Sequence, residues 1–134
     1  MIVVDTNVIH YCWVRGQRTE VAQAVRRRDP DWHAPILWRS ELRNVLTAYL
    51  RRELLSRDQI VGILNAADQA LAGSEHIIAD ELVFDVVAGS ALTAYDAEFV
   101  ALAGALSVSL VTADKAVLRA FPNRALTMEA FVSR

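Results

Sequence analysis

Apolar positions recur along the chain with two periods, and the points where each begins and stops mark out the elements. Ile2, Val3 and Val4 form an unbroken β-branched run ending at Asp5, which suits a buried parallel strand better than a half-exposed one. Over residues 17–28, Val21, Ala24 and Val25 fall at helical spacing, and Arg26, Arg27 and Arg28 close the segment where cations favour the helix dipole. Asp29-Pro30-Asp31 breaks the chain. Trp32 to Ile36 reads as a second strand, with Pro35 restricting it to a sheet edge or to the strand's last residue.

From about Leu37 to Glu53, Leu42, Val45, Leu46 and Tyr49 recur at helical spacing with no Gly or Pro among them. Ser56, followed by Asp58 and Gln59, opens another helix that runs to Ala72 and is closed by Gly73. His76 to Ala79 reads as a brief strand, residues 81–89 as a short helix, and Thr93 as the cap of a helix from Ala94 to about Leu106. Val108 to Thr112 predicts a second buried strand, and a further helix starts at Asp114. Strands alternating with helices imply an α/β fold with a central, mainly parallel sheet covered on both faces. In such sheets ligands bind beyond the carboxyl ends of the strands, where strand order reverses. Asp5 and Asp114 fall at or just beyond two such ends.

The length of 134 residues fits one domain, and 54% hydrophobic against 22% charged residues supplies a core. Thirteen Arg and one Lys stand against 16 acids, so a net charge of −2 exerts no general pull on a polyanion, and nucleic-acid binding must be local. A single cysteine, Cys12, excludes an intramolecular disulfide and points to a reducing compartment, the cytoplasm. The N-terminal stretch lacks a secretory pattern, and no run approaches the ~18 apolar residues of a membrane span.

The candidate chemistry lies in acids. On an ideal helix Asp96 shares a face with Phe99, Val100 and Ala103, in the stripe that must meet the core, whereas Glu98 points away. A carboxylate buried there needs a cation, a donor or a proton. Glu41 sits beside Val45 at the edge of its own stripe and can lean over the sheet. Taken singly, Asp5 and Asp114 also read as helix caps and Glu41 as a solvated side chain. If the four converge, their repulsion calls for a hard cation, Mg2+ or Mn2+, which binds through a few carboxylates and retained waters. Such an ion can activate water for attack on phosphorus.

Arg39 and Arg43, four apart on the helix carrying Glu41, could clamp phosphates beside the acids or form a solvated, ion-paired face. Trp13, Trp32 and Trp38 read as core rather than as base-stacking platforms. His10, His33 and His76 show no partner pattern, and Cys12 reads as a small buried filler.

Four segments, VVDTNVI at 3–9, SELRN at 40–44, TAYDAEFVALA at 93–103 and LVTADKAVL at 110–118, together resemble the PIN-domain nucleases, and specifically the VapC-type toxins of bacterial toxin–antitoxin pairs. The resemblance implies one PIN domain over 1–134 with a three-layer α/β/α fold, and a Mg2+-dependent endoribonuclease cutting structured RNA such as tRNA or rRNA. It implies a cognate VapB-type antitoxin and a homodimer. Carried over, Asp5 and Asp96 match the principal Mg2+ ligands, Glu41 and Asp114 the remaining acids, and Asn7 and Thr112 polar positions that support the site. Where these toxins commonly carry Gly before the late strand, this chain has Ser107.

Three other readings compete. A receiver-like regulatory domain would use Thr112 and Lys115, but it needs an acidic pair near the first strand, where Thr6-Asn7 stands instead. A phosphatase of the haloacid-dehalogenase type wants Asp-x-Asp, and Asn7 occupies the second place. A PIN fold that processes or binds RNA outside a toxin–antitoxin pair is the third.

Overall fold

The computed structural model describes residues 1–134. Its elements run β1 (Ile2–Val4), α1 (Thr6–Trp13), α2 (Thr19–Arg28), β2 (Trp32–Pro35), α3 (Trp38–Arg51), α4 (Arg57–Leu71) and β3 (Glu75–His76). They continue as α5 (Asp80–Ala88), α6 (Ala94–Leu106), β4 (Leu110–Val111), α7 (Lys115–Ala120), β5 (Ala125–Leu126) and α8 (Met128–Val132).

The five strands form one parallel sheet in the order β3-β2-β1-β4-β5. From β1 the chain steps outward through β2 to β3, then returns to place β4 on the other side of β1. Strand order therefore reverses between β1 and β4, and right-handed crossovers on the two sides put their helices on opposite faces. On one face Trp13 of α1 meets Trp32 edge-on, and Glu75 accepts from the Trp38 indole at the start of α3. On the other, α6 lies across β1, β2 and β4 with α5 against it. The core between the layers includes Trp32, Trp38, Phe99, Leu42 and Leu46, all essentially inaccessible to solvent.

Local chemistry explains most boundaries. Ser56 accepts from the Gln59 amide while the Gln59 side chain accepts from the Ser56 amide, a reciprocal box that satisfies two orphan donors of α4. Gly73, at φ +79, takes the left-handed turn after that helix. Thr93 caps α6 through the Asp96 amide. Pro35 is the last residue of β2, an interior strand, so its missing donor falls where the ladder ends.

Several expectations needed correction. The third strand is Glu75–His76 rather than 76–79, because pairing stops where β2 stops: Ile36 donates to the His76 carbonyl and Ile77, 89% exposed, has already left the sheet. The late strand shrinks to Leu110–Val111, although the Ser109 carbonyl and Thr112 amide still bond neighbouring strands. Residues 6–13 form the helix that Asp5 caps, and β5 and α8 have no counterpart in the sequence pattern. Their two and five residues are too short to show a period. Finally, α6 does not carry a single apolar stripe. Ala97 and Phe99 to Ala103 are all buried, because the helix is enclosed between the sheet and α5.

Candidate active site

Asp5 follows β1 directly and its carboxylate caps α1, Oδ1 accepting from the Thr6 amide at 2.8 Å. Its Oδ2 accepts from the Thr112 hydroxyl at 2.6 Å, across the β1–β4 boundary where strand order reverses. Thr112, fully buried at the end of β4, also accepts from the Asp114 amide at 3.0 Å. One hydroxyl thus fixes Asp5 and the turn bearing Asp114. Asn7 Oδ1 accepts from the Ala113 amide at 3.2 Å and holds the same turn from the side of α1. Asp114 caps α7 through the Ala116 and Val117 amides.

Glu41 reaches the cluster from the first turns of α3, its Oε1 accepting from the Thr6 hydroxyl at 2.7 Å. Asp96 enters from the first turn of α6 on the other face. The four acids line one pocket of about 300 Å3, together with Thr6, Asn7, His10 and Asn44. A larger cleft of about 570 Å3 at the opposite end of the sheet holds one acidic side chain, Asp29, whose partner is the Met1 ammonium. The concentration of titratable groups is in the smaller pocket.

Their electrostatics agree with that concentration. Burial pushes the Asp5 carboxyl from its ordinary 3.8 up to about 6, against the lowering pull of its Thr112 and Thr6 hydrogen bonds, with the Asp96 and Glu41 charges adding to the rise. Glu41 is raised by burial and by Asp96, and Asp96 by burial and by Asp114. Each of the three feels another's charge. The donor set is all oxygen, and carboxylates strained toward protonation are what a hard divalent cation relieves, so the residues fit such an ion. No three side chains stand close enough to enclose it. An ion there would be held by one or two carboxylates and its own waters, as Mg2+ commonly is.

The sequence reading brought Asp5, Glu41, Asp96, Asp114, Asn7 and Thr112 forward, and the fold gathers all six. Arg39 is not among them: its guanidinium is committed to Asp68 and to Glu75, the latter at 2.8 Å. Arg43 lies with Arg39 in separate clefts outside the acidic pocket. Glu98, expected to point away, is half-buried and raised by desolvation and by the Glu41 charge, a fifth acid behind Glu41. Thr6, His10 and Asn44 were missed. His10 Nε2 lies 3.0 Å from the Tyr49 hydroxyl, and burial lowers its pKa. The partners of Thr6 and His10 stand 35 and 39 residues away, beyond any local pattern.

Comparison with known proteins adds a family profile, a relative and two solved structures. A family profile described as PIN domain matches residues 2–122. The chain is 29% identical over 124 residues to Ribonuclease VapC3 of Pyrobaculum aerophilum, covering 90% of this chain and 95% of that one. Among solved structures, FitAcB from Neisseria gonorrhoeae superposes with a TM-score of 0.74 at 19% identity, over 96% of this chain and 99% of that one. FitAB bound to an IR36 DNA fragment superposes with a TM-score of 0.71 at 19% identity, over 96% of this chain and 95% of that one.

Proposed function

The chain belongs to the PIN-domain family, and on that footing we propose that it is a Mg2+-dependent endoribonuclease, the toxin of a toxin–antitoxin pair, acting on structured RNA of the tRNA or rRNA class. The observation that carries this reading is the convergence of Asp5, Glu41, Asp96 and Asp114 on one pocket at the reversal of strand order. The likeness to Ribonuclease VapC3 supports RNA as substrate. The fold shared with FitAB bound to DNA supports a DNA-binding antitoxin, of the VapB type, as partner. No helix is long and apolar enough to cross a membrane.

Asp5 and Asp96 hold the ion in this reading, with Glu41 and Asp114 completing the acidic wall. When bound, Mg2+, or Mn2+ in its place, supplies an acidified water and neutralises charge developing on phosphorus. The remaining work is positional. Thr112 and Thr6 donate to Asp5 and Glu41, fixing their side chains with lone pairs toward the pocket. Asn7 and Thr112 hold the turn that presents Asp114. His10 and Asn44 give the pocket its neutral hydrogen-bonding wall.

The test is incubation of the purified chain with total RNA and Mg2+ or Mn2+, alongside Asp5→Asn and Asp96→Asn. Cleavage should vanish with EDTA and fall at least ~100-fold in either variant. Cleavage indifferent to both treatments would overturn the mechanism. Induced expression should arrest bacterial growth while Asp96→Asn does not, and equal toxicity would remove catalysis as its cause.

A further inference from the structure

We propose that His33 and His76 form a second metal site, remote in kind from the acidic pocket, that takes an imidazole-seeking divalent cation of the Cu2+ or Ni2+ class. The sequence offered no sign of it, since the two residues stand 43 apart. The sheet brings them together. Pro35 of β2 pairs with His76 of β3, and His33, two residues before Pro35, lies on the same face. His33 Nδ1 and His76 Nε2 are 2.9 Å apart, with ring centroids separated by 5.1 Å and planes tilted by 34°.

That spacing selects a geometry. The 2.9 Å is the hydrogen-bond distance of the pair; were it kept on binding, with each ring turned so that its lone pair meets the ion at ~2.0–2.1 Å, the nitrogens would subtend about 90°. A tetrahedral centre such as structural Zn2+ would need the nitrogens about 3.3–3.4 Å apart. Right-angled nitrogen pairs occur in tetragonal and octahedral coordination, and among ions of those geometries imidazole nitrogen favours Cu2+ and Ni2+.

The surroundings already orient one ligand. Asp31 Oδ1 lies 2.9 Å from His33 Nε2, and a carboxylate only accepts, so neutral His33 carries its proton on Nε2 and turns the Nδ1 lone pair toward His76. This is the carboxylate–histidine arrangement that supports metal-bound imidazoles elsewhere. His76 then donates its Nε2 proton to His33. On binding, that proton moves to Nδ1 of His76, both rings stay neutral, and each gives the ion one lone pair. Burial and the neighbouring ring already hold His76 below its ordinary pKa, which favours the neutral form. No third His, Cys, Asp or Glu joins the pair, so water fills the other positions. His33 is nearly buried, its side chain 11% exposed, and His76 is half-buried, so an ion would enter from the His76 side.

The experiment titrates Cu2+, then Ni2+, into the full chain without a purification tag and in excess Mg2+, following heat and the electron paramagnetic resonance of Cu2+. One equivalent should bind, with coupling to two nitrogens. His76→Gln should abolish that signal, Asp31→Asn should weaken binding about 10–100-fold, and Asp5→Asn with Asp96→Asn should leave it unchanged. Circular dichroism establishes that each variant is folded. Absence of binding in the wild type, which would leave the pair a hydrogen bond tying β3 to β2, overturns the proposal. So does binding that survives His76→Gln, the mark of the N-terminal amine or an adventitious surface site.

Discussion

Asp5 caps a helix, receives a buried hydroxyl and sits among other carboxylates, and these loads have a measurable consequence. A carboxyl whose folded pKa lies above its unfolded one favours the folded state when protonated. Its contribution is therefore greatest in acid and is lost as pH rises from 3.8 through about 6. The shift from 3.8 to about 6 corresponds to about 3 kcal/mol in the metal-free protein. Urea unfolding without metal should show Asp5→Asn more stable than wild type at pH 7.5 and the gap closing at pH 4. A gap independent of pH would show that the Asp5 carboxylate is not strained. Adding Mg2+ should stabilise the wild type and not Asp5→Asn. Thr112→Val, which removes the hydroxyl from both Asp5 and Asp114, should lower cleavage by about 10–100-fold with the fold retained. At this scale the acids were readable because strand ends and helix starts are local features. Thr6, His10 and the His33–His76 pair were not, because each acquires its role from a residue at least 35 positions away. Asp96 was placed in the pocket on reasoning only half right, since α6 is buried nearly all round rather than along one stripe.

Elements were legible in proportion to their length and punctuation. The helix opened by Ser56 and closed by Gly73 agrees closely with α4 because both ends carry explicit chemistry. Ser56→Ala should cost about 1 kcal/mol and leave RNA cleavage unchanged, as α4 contributes nothing to the acidic pocket. Ser107 is the informative departure from the family's pattern. It ends α6 at φ 57 and ψ 42, the left-handed conformation in which a Cβ is unfavourable, so the turn survives without the glycine that suits it. Ser107→Gly should raise the unfolding free energy by up to about 1 kcal/mol, read from the urea midpoint, and Ser107→Val should lower it. The two-residue strands β3 and β5 were the least legible elements, because they are defined by their neighbours, whereas β4, equally short, lies within an apolar run that marks it.

For the whole molecule, alternation of strands and helices was enough to foresee a covered parallel sheet, whereas the 54% hydrophobic composition left room for an exposed patch without placing it. The fold exposes Ile77 at 89% and Phe84 at 61%, large apolar groups a homodimer or antitoxin would bury. Sedimentation velocity should find a dimer, and Ile77→Lys with Phe84→Lys should shift it toward monomer. A wild-type monomer at micromolar concentration would discard the homodimer. The proposed function expects a short reading frame immediately upstream that encodes the antitoxin, and its co-expression should lift growth arrest. The Asp5–Thr112 hydrogen bond joins residues 107 apart, and β1, the central strand, waits for β4 to complete its second edge. During synthesis Thr112 is made 107 residues after Asp5, a delay of roughly 5–20 s at about 5–20 residues per second. The nascent chain therefore has no assembled acidic pocket until Thr112 and Asp114 have emerged to join Asp5, and under the proposed activity RNA near the translating ribosome is spared until then.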